Sequence, residues 1–90
     1  MQLISKGAAM LELYQFEQCP YCKKVREKLT DLNVDFICRN VRKGTEKRQI
    51  IMTIGGKDQV PLLVDLDNQV IMYESDRIVE YLELNYGAKK

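Results

Sequence analysis

Two cysteines stand at the seam between segments of opposite period, in Cys19-Pro20-Tyr21-Cys22, and this placement constrains the fold more than any other feature of the chain. Before them, Leu11-Glu12-Leu13-Tyr14-Gln15-Phe16 is short, apolar and strand-compatible. After them, Val25, Leu29 and Leu32 recur at helical spacing, with Lys23, Lys24, Arg26, Glu27 and Lys28 around the other faces. Pro20 suits the first helical turn, where its missing N–H is harmless. Cys19 therefore falls at a helix start, where free backbone N–H groups and the positive end of the helix dipole favour a thiolate. The thiolate is the attacking species in thiol chemistry. Cys22 follows one turn later, close enough to form a disulfide with Cys19. Set further inside the helix, it should be the more buried and less reactive sulfur.

Composition removes most other chemistry. Three cysteines and no histidine leave Ser-His-Asp and Cys-His catalysis without partners in the chain. A structural zinc site normally takes four Cys or His ligands, so no metal site is assigned. A net charge of +1 over 90 residues offers no field for nucleic acid, and the tyrosines do not interleave with basic residues as nucleic-acid platforms require. No apolar run approaches the roughly 20 residues that span a bilayer. Residues Met1 to Gly7 lack the basic leader and apolar stretch of a signal peptide. The expectation is a cytoplasmic monomer without nucleic-acid or membrane partners.

The rest of the chain is evenly punctuated. Residues 1–10 have no clear period and read as an arm, and residues 11–90 as one domain. Asn33 is a stop for the first helix. Val34 to Val41 alternates as a second strand with Val34, Phe36 and Cys38 on one face. Thr45 is a candidate cap for a second helix with Ile50, Ile51 and Ile54 inward, ended by Gly55-Gly56. Leu62-Leu63-Val64 reads as a buried central strand. Asp67-Asn68 turns the chain into a hairpin partner, Val70 to Tyr73. Ser75 can cap a last helix with Ile78, Val79, Leu82 and Tyr86 inward, stopped by Gly87. The order β-α-β-α-β-β-α predicts an α/β fold, a four-stranded mixed sheet with three helices on its two faces.

Val60-Pro61 is the second anchor. A proline just before a buried strand marks either a plain strand start or a turn with a cis bond. With a CxxC on the first helix of a βαβ unit, a redox motif is the favoured reading.

On these residues the chain resembles the glutaredoxins, over about residues 11–87, with Cys19-Pro20-Tyr21-Cys22 as the active site and Val60-Pro61 as the cis-proline loop. The resemblance implies a thioredoxin fold and reduction of protein disulfides and glutathione mixed disulfides, with glutathione as electron donor and co-substrate. It implies the dithiol class, whereas the iron–sulfur carriers usually show Gly-Phe followed by serine. Carried over by residue, Cys19 bonds the glutathione sulfur, Tyr21 packs beside it and the Val60 backbone pairs with the peptide. Ser75 and Asp76 take the γ-glutamyl end, which a helix N-terminus and a carboxylate suit. Lys57, in the loop leading to Val60-Pro61, is a candidate for the glycine carboxylate. Two segments depart from the pattern. Gln15-Phe16-Glu17-Gln18 lacks the lysine often found before the motif, and Met72-Tyr73-Glu74 replaces a common glycine pair. Glu74-Ser75 and the first strand resemble instead the N-terminal domain of glutathione transferases, of which the chain would be a stand-alone version.

Other signals read as structural. Cys38 is expected as a small buried apolar residue, and Met10, Met52 and Met72 as core filler. The cluster Arg39, Arg42, Lys43, Lys47 and Arg48 is expected as a solvated face. Two alternatives to the glutathione-dependent oxidoreductase stay open: a glutathione-binding or redox-sensing module without turnover, and a redoxin reduced by a flavin reductase.

Overall fold

The computed structural model describes residues 10–87. The arm expected at residues 1–10 lies, apart from Met10, outside the described residues. The elements run β1 (Leu11–Gln15), α1 (Pro20–Asp31), β2 (Ile37–Asn40), α2 (Arg48–Gly55), β3 (Leu62–Asp65), β4 (Val70–Met72) and α3 (Ser75–Tyr86). The sheet order is β2-β1-β3-β4. β1 is parallel to β2 and antiparallel to β3, and β4 is antiparallel to β3. This is the thioredoxin fold that the resemblance implies.

Alternation along the central strands builds two cores. Leu11, Leu13 and Leu63 meet Val25, Leu29 and Leu32 of the α1 segment and Ile78 and Leu82 of α3 on one face. Tyr14, Leu62 and Val64 point the other way, onto Val41 and Ile51. Asn33 ends α1 as expected, at φ 58°. The Val34 N–H bonds to the Leu29 carbonyl and the Asn33 N–H to the Thr30 carbonyl, a Schellman closure. Gly56, at φ 89°, closes α2 in the same left-handed region.

Several expectations need correction. β2 starts at Ile37, because Val34 and Phe36 leave the ladder to pack against the α1–α3 core. All four residues of this edge strand are exposed, Cys38 among them. Thr45 does not cap α2; its hydroxyl donates to the Arg42 carbonyl at 2.7 Å, closing the preceding turn. An eight-residue helix lying on a sheet buries one narrow stripe, here Arg48 and Ile51, with Ile54 partly buried, and leaves Ile50 exposed. Met10 and Met52 are also exposed, and of the three methionines only Met72 packs against the core. Ser75 is the first residue of α3, and the cap position belongs to Glu74.

One buried polar knot ties α3 to the β3–β4 turn. Asp65 is fully buried and accepts from the Tyr81 hydroxyl at 2.6 Å, the Tyr86 hydroxyl at 2.7 Å and the Asn68 side chain at 2.9 Å. Burial pushes its carboxyl up, but these hydrogen bonds outweigh it and hold the group below its ordinary value. The contribution of a carboxyl lowered in the folded state is complete above its unfolded value of about 4 and fades as pH falls below that. Asp65→Asn is therefore expected to lose about 2 kcal/mol at pH 7 by urea denaturation. Its stability should also change less than wild type's on acidification below about pH 4, since the amide has no proton to gain.

Candidate functional site

Topology gathers the motif residues at one end of the sheet. The end of β1 pairs with the start of β3, Tyr14 opposite Leu62, so the segments 16–19 and 56–61 emerge together. β4 finishes at the same end, Met72 opposite Leu63, and delivers residues 73–76 beside them. Parallel pairing brings the end of β2 there too, with the Val41 N–H bonded to the Gln15 carbonyl at 2.8 Å.

Cys19 occupies the cap position of α1 with extended backbone, φ −76° and ψ 117°, and Pro20 takes the first helical turn. The Cys19 Sγ accepts the Cys22 N–H at 3.2 Å, filling the place of the usual Ser or Asp cap. Both sulfurs are free thiols. Cys19 keeps 5% of its surface in solvent and Cys22 none. Burial, joined by the hydrogen bond with Cys19, pushes the Cys22 thiol up to about 12, against a backbone hydrogen bond with Phe16 and the Arg26 charge. The pair is chemically unequal: the first sulfur accepts a helix N–H, and the second is buried with its thiol pushed up.

A groove of about 340 Å³ reaches the motif at Tyr21, with neither Cys19 nor Cys22 in its lining, and is at the small end of the range for ligand pockets. Tyr21, Gln59, Val60, Pro61, Glu74, Ser75 and Asp76 line it, and the Val60–Pro61 peptide is cis. Five residues singled out in the sequence thus share one groove: Tyr21, Val60, Pro61, Ser75 and Asp76. Lys57 is not in its lining. The Lys57 ammonium lies 5.6 Å from the centroid of the Tyr73 ring, and its backbone N–H donates to the Tyr73 hydroxyl at 3.0 Å. Asp76 is on the groove wall but is ion-paired with Lys24 of α1. That pair is exposed on both sides, and such pairs contribute only about 0–1 kcal/mol.

The residues that depart from the common pattern build the groove's frame. Tyr73 reaches back over the end of α2 and donates to the Lys57 carbonyl at 2.8 Å. A Cβ on Gly55 would fall 2.7 Å from carbons of the Tyr73 ring, so a side chain at position 55 and Tyr73 exclude each other. Arg48, expected on a solvated face, is buried. It donates to the Val41 carbonyl at 2.8 Å and to Asp58 at 2.5 Å, with its guanidinium 5.9 Å from the Phe16 ring centroid. One side chain thus joins three of the loops at this end of the sheet.

Gln59, Lys24 and Arg26 were not separable from ordinary surface residues in the sequence. Gln15 carried a signal, a polar residue at a core-facing position of an apolar strand. Glu74 carried another, since it takes φ 75° where a common pattern has glycine.

Comparison with known proteins agrees with this architecture. Residues 13–90 match the sequence profile of the family described as Glutathione S-transferase, N-terminal domain. A glutaredoxin-like 8.6 kDa protein in the rubredoxin operon of Clostridium pasteurianum is 29% identical over 75 residues, covering 79% of this chain and 99% of that protein. Among solved structures, a glutathione S-transferase from the Antarctic clam Laternula elliptica is 26% identical with a TM-score of 0.77, over 87% of this chain and 36% of that one. A glutathione transferase homolog from Drosophila mojavensis, with bound glutathione, shares the fold at 23% identity and a TM-score of 0.79, over 88% of this chain and 36% of that one. The chain therefore spans about a third of the transferases it superposes on and nearly all of the small clostridial protein. By fold and by sequence over most of its length, it belongs to the glutathione S-transferase N-terminal domain family.

Proposed function

We propose that this protein is a glutathione-linked thiol–disulfide oxidoreductase that acts through Cys19. Family membership and the glutaredoxin-like relative support a glutathione-related redox function, and the observation that carries the finer reading is the inequality of the two cysteines. Cys19 Sγ is capped by the Cys22 N–H, while Cys22 is fully buried and its thiol is pushed up to about 12. A sulfur so capped is suited to attack, and a neutral one behind it is suited to wait.

The Cys19 thiolate attacks the glutathione sulfur of a mixed disulfide, and the protein thiolate leaves with the electron pair. A second glutathione thiolate then attacks the glutathione sulfur bonded to Cys19, which releases oxidised glutathione and restores the Cys19 thiolate. For a protein disulfide, Cys22 displaces the substrate from Cys19 and closes the Cys19–Cys22 bond. The groove suits the tripeptide: an extended peptide would meet the Val60 backbone, and the start of α3 suits the γ-glutamyl carboxylate. Asp76 suits the γ-glutamyl ammonium, which would exchange with Lys24 at small cost because that pair is exposed.

The experiment is a turnover assay of a glutathionylated peptide with glutathione and glutathione reductase, run beside a thioredoxin reductase system. Steady turnover with glutathione is expected. Reaction without turnover would point to a sensor, and turnover with the flavin enzyme alone to a redoxin of the other kind. Cys19→Ser should abolish peptide deglutathionylation, while Cys22→Ser should retain most of it and lose reduction of protein disulfides. Equal loss in both variants on the glutathionylated peptide would contradict this division.

Asp76→Ala should raise KM for glutathione several-fold and leave kcat and melting temperature near wild type. Unchanged glutathione kinetics would remove the γ-glutamyl assignment.

A further inference from the structure

Arg26 sits on the second turn of α1, yet its guanidinium lies at the start of the helix. It donates to Gln15 Oε1 and to the Glu17 carbonyl at 3.3 Å, and it stands 3.7 Å from a Glu17 carboxylate oxygen. Helix side chains lean toward the N-terminus, and residues four apart share a face. Reaching residues 15 and 17 from position 26 therefore takes the side chain along the face that carries Cys22. The Cys22 sulfur has its own hydrogen bond with the backbone of Phe16, the residue between the two anchors of the guanidinium.

The anchor on the strand side is rigid. Gln15 is 1% exposed, and its Nε2 donates to Asn40 Oδ1 at 2.8 Å and to Cys38 Sγ at 3.0 Å. With the amide nitrogen engaged by β2, the amide oxygen is turned to Arg26. The Arg26 side chain is only 20% exposed, so its charge acts with less solvent screening than a surface cation's. Cys19 and Arg26 are the titratable groups that act on the Cys22 sulfur, the first disfavouring its thiolate and the second favouring it.

We infer that Arg26, held by Gln15 and Glu17, is a positioning residue for the second exchange step, in which it stabilises the Cys22 thiolate as that sulfur attacks the disulfide on Cys19. The inference rests on the proposed exchange chemistry. In the step, the Cys22 thiol gives its proton to water. Its sulfur then forms the Cys19–Cys22 bond as the bond from Cys19 to the substrate breaks. The electron pair leaves on the substrate sulfur, which is protonated from solvent. Arg26 keeps its protons throughout. It thereby supplies, from within α1, a cation that the segment Gln15-Phe16-Glu17-Gln18 lacks.

The test is a single-turnover reaction with 5,5′-dithiobis(2-nitrobenzoate), in a Cys38→Ser background that removes the exposed third thiol. Attack by Cys19 releases one thionitrobenzoate, and resolution by Cys22 releases a second, so one absorbance trace separates the two steps. Arg26→Gln is expected to leave the first phase within twofold of wild type and to slow the second about tenfold, the scale of one partly buried charge. Arg26→Lys should recover most of the second-phase rate, and Gln15→Met, which removes one of the guanidinium's two anchors, should slow it by a smaller factor. A second phase unchanged in Arg26→Gln would overturn the inference. So would equal slowing of both phases in the Gln and Lys variants, which assigns Arg26 to structure alone. The reagent contains no glutathione, so this result is independent of whether glutathione is the reductant.

Discussion

The hydrogen bond from the Cys22 N–H to the Cys19 sulfur is the contact on which the rest of the site depends. It exists because the chain leaves β1 in an extended conformation, makes a short turn and enters α1 through Pro20. A cap position normally filled by a hydroxyl or carboxylate is filled here by sulfur, so the donor that completes the helix start is also the one that contacts the Cys19 sulfur. The packing of α1 then settles the fate of the other cysteine. Cys22, Val25 and Leu29 form the buried stripe of α1, and Cys22 has no solvent with which to ionise. One helix, docked by one apolar face, leaves the cap sulfur a sliver of solvent and its neighbour none.

Around this pair the loops are held by side chains that do not touch the groove's interior. Arg48 fastens the segments before α1, after β2 and before β3 to one another through Phe16, Val41 and Asp58. Tyr73 fastens the end of α2 to the loop before Val60, and the missing side chain of Gly55 makes room for it. The residues that actually line the groove are therefore supported from behind, while Tyr21 stays largely exposed. Asp76 and Lys24 are the contrasting case, an exposed and exchangeable pair at the groove's rim.

Much of this was legible in the sequence because it rests on local patterns. The strand before the motif, Pro20 at the helix start and Asn33 at its end all follow from residues within a few positions of one another, whereas the cis bond before Pro61 is expected only in combination with the distant Cys19-Pro20-Tyr21-Cys22 and the family resemblance. The convergence of Tyr21, Val60, Pro61, Ser75 and Asp76 is implied by the family resemblance, and the βαβ–ββα order is compatible with it. What was not legible depends on partners distant in sequence. Arg48 looks like a member of a basic cluster until Val41, Phe16 and Asp58 converge on it. Cys38 alternates with Val34 and Phe36 in the sequence, but the strand begins only at Ile37 and lies at the sheet edge, which leaves the sulfur outside. Ile50 satisfies an apolar period that an eight-residue helix on a sheet cannot fully use. Lys24 reads as a solvent-facing helix residue until α3 brings Asp76 across from it.

On the proposed chemistry Cys19 is the thiol that reacts first: its sulfur accepts a helix N–H and the residue keeps 5% of its surface in solvent, Cys22 has none, and Cys38 stands on an edge strand without a helix start beneath it. The most direct test is to mix the Cys22→Ser variant with oxidised glutathione and map the product by mass spectrometry. In that reaction one protein thiolate displaces one glutathione and keeps the other as a mixed disulfide. The account predicts rapid formation of a single glutathione adduct on Cys19, reversed by added glutathione. An adduct forming first on Cys38, or no adduct on Cys19, would contradict it.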